Sequence, residues 1–402
     1  MKYLFVTQYF YPEEFRGNDI AFDWAARGDK VTVITAVPNY PSGKFLKGYG
    51  WFKRRKEMIR GVEVIRIPVI SRGKGSSIRL MLNYFSFAIF GSLYAIYLGY
   101  HKKFDAIFVQ QLSPVTMALP GIVVKKIQKI PLYIWVLDLW PESLTSAGNV
   151  NNKIVLSFFE RIVRLIFRNS DKILISSRGF ETSICQKGDF NRKITYFPNW
   201  AEDTFTESSV YDLPNLPGGF IVMFAGNIGE AQDFENVMKA AALLKDDKQI
   251  KFIILGDGRK KSWMDEFCVQ HELSDSVFSL GRFPLASMPV FFAKADVMLV
   301  SLKDEPIFNL TLPAKIQAYM KCAKPIVGMM NGDGANTILQ AQCGLCAKAG
   351  DYEGLAKTIQ YMAKMDQQKI EEFGTNGYDF ALKHYSKTKL LDELYFNIID
   401  RP

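Results

Sequence analysis

Residues 280–338 have the sequence LGRFPLASMPVFFAKADVMLVSLKDEPIFNLTLPAKIQAYMKCAKPIVGMMNGDGANTI, and the alternation of apolar and polar segments in this stretch decides the fold. Residues 296–302 (DVMLVSL) and 325–329 (PIVGM) are continuous apolar runs of strand length, and residues 314–324 between them have helical composition. Strand, loop, helix and strand in this order predict neighbouring strands of a parallel sheet. In such a sheet, ligands bind beyond the carboxyl ends of the strands.

The polar segments that follow these two strands are therefore expected to face one cleft. They are the loop at residues 303–313 and the turn at residues 331–334 (NGDG), which holds Asp333 and Gly334. Lys315 comes just after a proline that is suited to the start of a helix, where backbone N–H groups can receive an anion. This position predicts that a ligand with phosphate groups meets Lys315.

The composition is that of a folded chain with a locally concentrated positive charge. The 402 residues are too many for one ordinary core, so two domains are expected, and 48% hydrophobic with 23% charged residues indicate a globular protein. The net charge is +9, and residues 44–79 hold eleven Lys or Arg against Glu57 and Glu63. Such a patch could meet anionic lipid headgroups or a phosphorylated substrate. Nucleic acid is not expected as a partner, since no helix-turn-helix, zinc-finger or RNP-like pattern is visible.

The cysteines and the absent motifs narrow the chemistry. Five Cys without framework spacing indicate reduced thiols and a cytosolic protein, and the C-x-x-C at residues 343–346 has no second pair, so packing is favoured over zinc binding. The sequence has no Asp-x-Asp, no P-loop, no G-x-G-x-x-G and no G-x-S-x-G. These absences argue against a metal-dependent nucleotide-sugar enzyme, a P-loop ATPase and a dinucleotide oxidoreductase. Residues 1–7 (MKYLFVT) lead straight into a predicted strand, and no secretion signal is expected.

Short apolar runs alternate with helical stretches, which predicts an α/β protein with two doubly wound, Rossmann-like domains. The predicted strands of the first half are residues 3–7, 31–35, 62–67, 106–109, 132–136 and 172–175. Those of the second half are residues 220–224, 251–255, 277–280, 296–300 and 325–327. Residues 201–219 are rich in Pro, Gly and small polar residues and predict the boundary. The expected domains are residues 1–204 and 205–377, and the helical spacing of aromatics and Leu predicts a terminal helix over residues 378–402.

Residues 78–98 (IRLMLNYFSFAIFGSLYAIYL) are apolar over about the length that crosses a bilayer. A crossing would place two parts of the first sheet on opposite sides of the membrane, against the rule that sequential strands share a sheet. Without a crossing, the segment is either a buried core helix or a helix, or helical hairpin, that lies in the lipid interface beside the basic patch. We expect the interfacial arrangement, with residues 44–103 as a membrane-facing basic and apolar region.

Glycine-containing turns follow three predicted strands of the second half, and there backbone amides can approach a phosphate closely. They are GNIG at 226–229, GDG at 256–258 and GRFP at 281–284. In the third, a base could lie against the backbone while an arginine reaches a diphosphate. A tight turn without a ligand is the structural alternative for the first two. The candidate ligand-binding residues of these turns are Gly226, Asn227, Gly229, Gly256, Gly258, Arg282 and Phe283.

Aromatic and polar turns also follow three predicted strands of the first half. They are YFYPEEFRGN at 9–18, PNYPSGK at 38–44 and WVLDLWPES at 135–143. The last carries an Asp at the end of a core strand, which is costly unless something binds it, so a functional role is favoured over helix capping. The candidate substrate-facing residues of this half are Gly17, Asn18, Asn39, Tyr40, Asp138, Trp140 and Glu142.

Five segments, in register along the chain, resemble the motifs of one enzyme family. They are PNYPSGK at 38–44, DLWPES at 138–143, PNWAED at 198–203, GNIGEAQDF at 226–234 and FNLTLPAKIQAYM at 308–320. The resemblance is to the family-4 retaining glycosyltransferases of GT-B fold, close to the bacterial O-antigen and capsule enzymes that include N-acetyl-L-fucosamine transferases. It covers nearly the whole chain and implies two Rossmann-like domains facing a central cleft, with the C-terminal helix returning to the first domain.

The resemblance implies transfer of a sugar, of an N-acetylated amino or deoxyamino kind, from a UDP-sugar to an acceptor on a polyprenyl diphosphate in surface polysaccharide synthesis. The nucleotide-sugar donor is expected on the second domain and the lipid-diphosphate-linked acceptor against the first. No metal and no cofactor beside the donor substrate is expected. The expected location is cytoplasmic, peripheral on the inner membrane surface.

Position by position, the resemblance assigns Lys315 to the donor diphosphate, the turn at 226–229 to a phosphate, Asp138 to the acceptor-side loop, and Gly17 and Asn18 to the loop after the first strand. The implied mechanism is front-face displacement with retention of configuration. Lysine, arginine and helix N-terminal amides stabilise the departing diphosphate. A phosphate oxygen removes the acceptor proton, and Asp138 positions the acceptor hydroxyl.

The chain departs from the family pattern around the predicted helix at residues 314–324, which contains Lys315. Many members carry two Glu eight positions apart, and Leu310 and Ala318 occupy those positions here. Gln317 could partly replace the second Glu at the ribose. The Arg and Lys that often follow the first glycine turn are also absent, so charge neutralisation is expected to fall on Lys315 and Arg282.

Two further functions are open to this sequence. A non-hydrolysing UDP-sugar epimerase shares the architecture, but it usually relies on His and carboxylate groups, and only three His are present. A membrane-associated assembly protein that has lost catalysis would explain the missing glutamates. Such a protein is expected to bind no nucleotide.

Overall fold

The chain folds into two compact units in the computed structural model, which describes residues 1–73, 77–146, 150–201, 205 and 211–399. The first unit comprises Met1–Phe197 and Leu391–Pro402, and the second comprises Pro198–Leu390. The expected domain boundary after residue 204 falls outside the described residues, as do residues 202 and 203 of the PNWAED motif.

An eight-stranded sheet forms the core of the first unit. Its strands are β1 (Lys2–Val6), β2 (Lys30–Ala36), β3 (Lys56–Ile59), β4 (Val62–Ile67), β5 (Ala106–Gln111), β6 (Leu132–Val136), β7 (Lys172–Ile175) and β8 (Ile194–Tyr196). The spatial order is β3-β4-β2-β1-β5-β6-β7-β8, and every pairing is parallel except that of the edge strand β3 with β4. Strand β1 lies in the middle, which explains why its run Leu4, Phe5 and Val6 is fully buried.

Helices connect the parallel strands of the first unit. They are α1 (Arg16–Ala26), α2 (Ser77–His101), α3 (Leu119–Gln128), α4 (Glu142–Ser146), α5 (Lys153–Asn169) and α6 (Phe180–Gln186), with short 3₁₀ turns at Val115–Ala118 and Asn191–Lys193. Helix α1 shows how the sequence sets the packing, because its buried residues Ile20, Ala21 and Trp24 share one face.

The second unit contains a six-stranded, fully parallel sheet. Its strands are β9 (Phe220–Asn227), β10 (Ile250–Asp257), β11 (Val277–Gly281), β12 (Val297–Ser301), β13 (Ile326–Met329) and β14 (Gly344–Ala347), in the order β11-β10-β9-β12-β13-β14. Its helices are α7 (Phe234–Leu243), α8 (Lys261–Gln270), α9 (Met288–Ala293), α10 (Pro306–Asn309), α11 (Ala314–Lys321), α12 (Gly332–Gln340), α13 (Tyr352–Ala363) and α14 (Gln367–His384).

Neighbouring residues along the strands of this sheet enter two different cores. Met223, Ile253 and Met298 belong to one core, and Val222, Phe252 and Val297 belong to the other. Because successive side chains point to opposite faces of a strand, helices must cover both faces of the sheet. The predicted doubly wound α/β architecture is confirmed in each unit.

Of the strands in the described part of the chain, the apolar runs predicted eleven and missed three. Strand β3 has the charged sequence KEMI at an edge, β8 is three residues long, and β14 (GLCA) begins with a glycine and contains Cys346. The cysteines of the C-x-x-C segment are free thiols, of which Cys343 is buried.

The terminal segment differs from the single helix expected from residue 378. Helix α14 begins eleven residues earlier, at Gln367, and a break at residues 385–386 separates it from α15 (Lys387–Glu393) and a π-helical turn, Leu394–Ile398. The part after Leu390 belongs to the first unit. There Asp392 forms an ion pair with Arg27 at 2.6 Å, whose guanidinium also lies 4.6 Å from the centre of the Tyr395 ring.

Helix α2 contains the long apolar segment. One side packs into the unit, where Phe87 and Ala95 are fully buried. By length and composition α2 is the one helix, within the described ranges, that could cross a bilayer, which is weak evidence on its own. The opposite side exposes a row of large apolar side chains, called the α2 stripe: Ile78, Leu82, Ile89, Phe90, Leu93, Ile96, Tyr97 and Tyr100.

Candidate functional site

The glycine turns of the second unit lie side by side at the carboxyl ends of β9 and β10. Gly226 is the register partner of Gly256, and both have positive φ, at 142° and 146°. A Cβ atom on Gly256 would overlap the carbonyl oxygen of Gly226, and one on Gly258 would overlap the carbonyl of Ile228. The close approach of these backbones therefore requires glycine, which supplies a packing reason for residues predicted to face a ligand.

The first turn leads into a short 3₁₀ segment before α7. Gly229 donates its N–H to the side-chain oxygen of Gln232 at 3.2 Å, and a Cβ on Gly229 would overlap the Asn227 amide. The tight turn brings Asn227 and Gly229 to the same strand end as Gly226. The turn follows the strand as the sequence predicted, and it also has the structural role of starting the segment Glu230–Gln232.

Lys315 projects its amino group toward this strand end. The Nζ atom is buried, lies 3.8 Å from the centre of the Phe224 ring, and has no hydrogen-bond partner among the described residues. A Cβ on Gly226 would lie only 3.2 Å from it. Burial lowers the pKa of Lys315 to about 7. A buried ammonium without a counter-charge is costly, so the arrangement favours an anion beside the glycine turn.

Gln317 lies two residues further along α11. It is 1% exposed, and its Nε2 donates to the Asn199 carbonyl at 3.0 Å, while Oε1 is buried without a partner in the described part of the chain. This oxygen is an acceptor that a ligand hydroxyl could use. Ala318, at one of the two positions that hold Glu in the resembled family, is also buried.

Arg282 and Phe283, which follow β11, have different surroundings. The Arg282 side chain is largely exposed and its Nε lies 4.0 Å from the Asp257 carboxylate, at the end of β10. Phe283 packs against Phe291, with 4.6 Å between ring centres, and against the core. Arg282 is thus near the glycine turns, whereas Phe283 mainly contributes packing.

The turn at the start of α12 lies against the helices that precede it. A Cβ on Gly332, which has a φ of 68°, would overlap the Asn309 carbonyl. A Cβ on Gly334 would lie 3.2 Å from Pro313. Asp333 is in the first turn of α12, and its carbonyl accepts a hydrogen bond from Thr337. The starts of α11 and α12 are therefore neighbours.

A charged cluster that the sequence did not predict joins the ends of β9, β10 and β12. Glu230 pairs with Lys303 at 3.0 Å and with Lys260 at 3.1 Å, and Lys260 also pairs with Glu235 at 2.8 Å. Lys303 donates its backbone N–H to Ala231, in the segment that follows the first glycine turn. These two lysines supply cations beside this turn, where the family's usual Arg and Lys are absent. The sequence predicted that the loop beginning at Lys303 faces a ligand, but not that Lys303 and Lys260 share Glu230, because these residues are far apart in the chain.

Asp138 is held by three donors in the first unit. Its carboxylate accepts hydrogen bonds from the hydroxyls of Ser113 and Ser143 and from the indole N–H of Trp140, the last at 3.3 Å. Burial raises the pKa of the Asp138 carboxyl, and these hydrogen bonds oppose that shift. Gln111 also donates to the Asp138 carbonyl at 3.0 Å. The residue is therefore fixed in position rather than free to rotate.

Trp140 and Glu142 have partners inside the unit. Trp140 is 4% exposed and its ring packs edge-on against Phe159 at 5.1 Å. Glu142 pairs with the buried Lys187 and accepts a hydrogen bond from Ser183 at 2.6 Å. The structure thus gives Trp140 a role in orienting Asp138, and it gives Glu142 an internal ion pair that the sequence did not predict.

Gly17, Asn18 and Asn39 contact other residues of their own unit, and the two asparagines bind its backbone. A Cβ on Gly17 would overlap the Gln110 side chain. Asn18 accepts from the Tyr11 N–H at 3.2 Å and donates to the Glu13 carbonyl at 2.8 Å. Asn39 is fully buried and donates to the Val37 carbonyl at 2.9 Å. These residues order the two turns.

Glu13 is the residue around which these turns meet, and motif reasoning did not single it out. Its Oε1 accepts the backbone N–H groups of Asn39 at 2.8 Å and Tyr40 at 2.6 Å, while Oε2 is buried without a partner in the described residues. Burial raises its pKa to about 7. In the sequence, Glu13 is one of several polar residues in its turn. Its partners, the N–H groups of Asn39 and Tyr40, belong to the turn after another strand, so the sequence did not distinguish it.

Aromatic rings and one arginine surround Glu13. Tyr9 stacks on Phe15 at 5.1 Å, and Tyr40 packs edge-on to Tyr9 at 5.8 Å. Arg72 donates to the Tyr9 hydroxyl at 3.0 Å and lies 5.2 Å from the centre of the Tyr40 ring. Tyr84 lies close to the Tyr9 hydroxyl, and burial raises the pKa of both tyrosines. The Tyr40 ring is exposed, so this aromatic cluster reaches the surface.

Comparison with protein families gives a match over the second unit. Residues 212–380 match the family described as Glycosyl transferases group 1, and they contain the glycine turns, Lys315 and the start of α12. WbjE of Pseudomonas aeruginosa, a probable glycosyltransferase, is 28% identical over 251 residues, or 59% of this chain and 61% of that relative. This alignment spans less than two thirds of WbjE. WcaI of Escherichia coli strain K12, whose name refers to a colanic acid biosynthesis glycosyl transferase, is 28% identical over 313 residues, covering 73% of this chain and 74% of that relative.

Solved structures resemble the chain along almost its entire length. Sucrose-phosphate synthase from Thermosynechococcus elongatus has a TM-score of 0.73 at 15% identity and covers 98% of both chains. Anabaena HepE in complex with UDP has a TM-score of 0.69 at 15% identity and covers 99% of both chains. At such identities the likeness concerns the fold, which is GT-B.

Proposed function

We propose, from the group 1 glycosyl transferase domain at residues 212–380, that this chain is a retaining, family-4 glycosyltransferase of surface polysaccharide synthesis. It transfers a sugar from a UDP-sugar to an acceptor linked to a polyprenyl diphosphate in O-antigen or capsule assembly. The observation that carries the proposal is the buried Lys315 ammonium beside the Gly226 turn, which has no hydrogen-bond partner among the described residues. A diphosphate is the anion that a nucleotide sugar would bring to it.

The second unit would bind the donor and stabilise its leaving group. Lys315 would meet the diphosphate beside the Gly226 turn, and Arg282 would reach it from the end of β11. Lys260 and Lys303 can add charge if the diphosphate competes with Glu230 for them. These cations lower the barrier because negative charge grows on the departing diphosphate as the glycosidic bond breaks. No metal ion is needed for this neutralisation.

The first unit would bind the acceptor. Asp138, fixed by Ser113 and Ser143, accepts a hydrogen bond from the acceptor hydroxyl and orients it. The proton of the acceptor hydroxyl passes to an oxygen of the departing phosphate. The hydroxyl therefore attacks on the face from which the leaving group departs, and the anomeric configuration is retained. The names of WcaI and of HepE in complex with UDP support a polysaccharide pathway and a UDP-sugar donor. The resemblance to N-acetyl-L-fucosamine transferases favours an N-acetylated amino or deoxyamino sugar.

The α2 stripe supports a peripheral location on the cytoplasmic face of the inner membrane. It is exposed along a helix of 25 residues, which is about 37 Å long. The basic segment at residues 44–79 precedes it in the sequence. An apolar helix face with neighbouring cations is suited to an anionic membrane surface, where a polyprenyl diphosphate is embedded.

The proposal is tested by incubating the protein with membranes and a panel of UDP-sugars while UDP release is measured. We expect release for one donor, dependent on the lipid acceptor. Conversion of one UDP-sugar to another without net release of UDP would indicate the epimerase instead. The buried Ala318 in place of a glutamate favours a second candidate, an inactive assembly protein. That candidate predicts no thermal shift with UDP, whereas a donor-binding enzyme is stabilised by it.

A further inference from the structure

A tight turn before β3 presents two aromatic side chains at its tip. Gly50 and Lys53 form an antiparallel bridge, so Trp51 and Phe52 occupy the turn between them. The Trp51 indole donates to the Val69 carbonyl at 2.9 Å, which fixes its ring against the unit. Phe52 is 92% exposed, the most exposed large apolar side chain among the described residues.

Cations follow the turn without interruption. Residues 53–56 are Lys-Arg-Arg-Lys, and Glu57 is the first acid after them. Arg55 holds the turn in place, since it donates to the carbonyls of Trp51 at 3.0 Å and Arg66 at 2.5 Å. Lys53 and Arg54 are exposed beside Phe52. The tip thus combines a free aromatic ring with positive charge on a backbone that is well fixed.

The edge strand β3, which follows the turn, lies beside the second half of α2. Lys56, the first residue of β3, lies close to the Tyr94 hydroxyl of α2, and this neighbour raises the pKa of Lys56. Met58 of β3 is 69% exposed and lines one groove with His101 and Lys102 at the end of α2. The edge strand and the second half of α2 are therefore neighbours.

We propose that the turn at residues 50–53 is a second membrane anchor, in which Phe52 inserts into the boundary between headgroups and acyl chains of an anionic bilayer. Lys53 and Arg54 then contact lipid phosphates. The chemistry favours a lipid surface because the ring is apolar, its flanking charges are all positive over four residues, and the edge strand that follows the turn lies beside α2, the helix that carries the apolar α2 stripe. The inference rests on the proposed function only for the presence of a membrane-bound acceptor.

Two separate contacts with the bilayer constrain the orientation of the first unit, which a single helix does not do. A single amphipathic helix can rotate about its own axis on a membrane, whereas a helix together with a separate turn defines a plane. The turn would therefore fix the orientation of the first unit relative to the lipid surface. A lipid-linked diphosphate could then be presented in one constant direction to this unit.

Phe52→Ser in the full-length protein tests the anchor by sedimentation with vesicles of phosphatidylglycerol and phosphatidylethanolamine. We expect a roughly tenfold lower partition coefficient, because serine removes the apolar surface that a phenylalanine buries. Phe52→Leu should retain most of the binding. Tyr361→Ser, at another exposed aromatic residue on α13, is the matched control and should leave the partition coefficient unchanged.

Three results would overturn the proposal. The first is an unchanged partition coefficient for Phe52→Ser, and the second is an equal loss in the Tyr361→Ser control. The third is a change from dimer to monomer on Phe52→Ser, which would identify the turn as a self-association surface. A thermal shift with UDP is measured in parallel, so that failure of the proposed function in the wild-type protein is recognised separately from failure of the anchor.

Discussion

The ammonium of Lys315 lies 3.8 Å from the centre of the Phe224 ring, on the same strand that ends in the Gly226 turn. A cation above an aromatic face gains some electrostatic stabilisation, but a ring does not replace the water that the ammonium loses on burial. The pKa of about 7 reflects that loss. A bound diphosphate would supply the missing counter-charge and would be held more tightly because the lysine is already desolvated.

Replacement of this lysine gives the first prediction. Lys315→Ala should lower the turnover number by roughly 100-fold or more, because the charge that develops on the leaving diphosphate loses its nearest cation. The protein should remain folded, since the variant removes a buried charge that has no partner within the described residues. Steady-state UDP release and circular dichroism measure the two effects.

Lys321→Ala is the matched control for this experiment. Lys321 is in the last turn of the same helix, α11, where its amino group lies 5.8 Å from the centre of the Tyr378 ring. Turnover within about twofold of wild type is expected for it. Normal turnover in Lys315→Ala would show that Lys315 does not stabilise the diphosphate of the donor.

The lowered pKa of Lys315 gives a second prediction, a proton taken up on UDP binding. At pH 8 a lysine with a pKa of about 7 is mostly neutral, and a diphosphate beside it favours the charged form and raises the pKa. Binding should therefore take up about one proton at pH 8, and UDP affinity should fall as pH rises from 7 to 9. The terminal phosphate of UDP is almost fully ionised above pH 7.5 and contributes little.

Calorimetric titrations of UDP in buffers with different ionisation enthalpies measure this uptake. In Lys315→Met the binding enthalpy should no longer depend on the buffer. An enthalpy that is independent of the buffer in the wild-type protein at pH 8 would contradict the mechanism, because it would mean that Lys315 does not change protonation when the ligand binds.

The fold was largely predictable because buried parallel strands are continuous apolar runs. MKYLFVT and FIVMF need only hydrophobicity and length to be recognised. Strand β3 was not predictable in this way, since KEMI is half polar and pairs only at the edge of the sheet. The break between α14 and α15 was also missed, because the apolar spacing continues across residues 385–386.

The candidate site was predictable where the chemistry is local in sequence. The glycine turns and Lys315 could be placed at strand ends from the alternation of strands and helices. The Lys260–Glu230–Lys303 cluster and the partners of Glu13 could not, because each joins different strand ends that are far apart in the chain. Glu142 shows the converse. Its place in a motif suggested a ligand, whereas the buried Lys187 is its partner.

The paired glycines of the second unit give a third prediction. Gly256→Ala should lower the free energy of unfolding by about 3 kcal/mol or more, because the residue has a φ of 146° and its Cβ would overlap the Gly226 carbonyl. Gly218→Ala is the control, since a Cβ there meets nothing within 4 Å, and a change of at most about 0.5 kcal/mol is expected. Urea unfolding measures both. Equal stability of the two variants would show that β9 and β10 separate at their ends.

A fourth prediction separates the roles of Asp138 and Glu142. Asp138→Asn should lower sugar transfer by roughly 100-fold while UDP affinity is unchanged, because the amide loses the charge that orients the hydroxyl and its NH₂ faces the donors Ser113 and Ser143. Glu142→Gln should instead lower stability by about 1–3 kcal/mol, since Lys187 is left buried without its counter-charge. Transfer by Glu142→Gln should be normal below its unfolding temperature. If Asp138→Asn lowered stability and Glu142→Gln lowered sugar transfer, the two roles would have to be assigned the other way round.

The last prediction concerns the pH dependence that Glu13 gives to stability. Burial raises the pKa of this carboxyl from 4.5 to about 7, against the lowering effect of the Asn39 and Tyr40 N–H groups and of Arg72. Between these two pH values the folded protein binds a proton at Glu13 that the unfolded chain has released. The contribution of Glu13 to stability is therefore present in full below pH 4.5 and is lost as pH rises to about 7.

Glu13→Gln removes this titration without a large change in shape. The difference in free energy of unfolding, wild type minus variant, should fall by about 3 kcal/mol between pH 4.5 and pH 8. Urea unfolding of both proteins across this range measures it, and Glu14→Gln at the neighbouring residue, which is exposed, is the control and should give a flat difference. A flat difference for Glu13→Gln as well would mean that Glu13 titrates normally. The turns at 9–18 and 38–44 would then not be held together by a buried carboxyl.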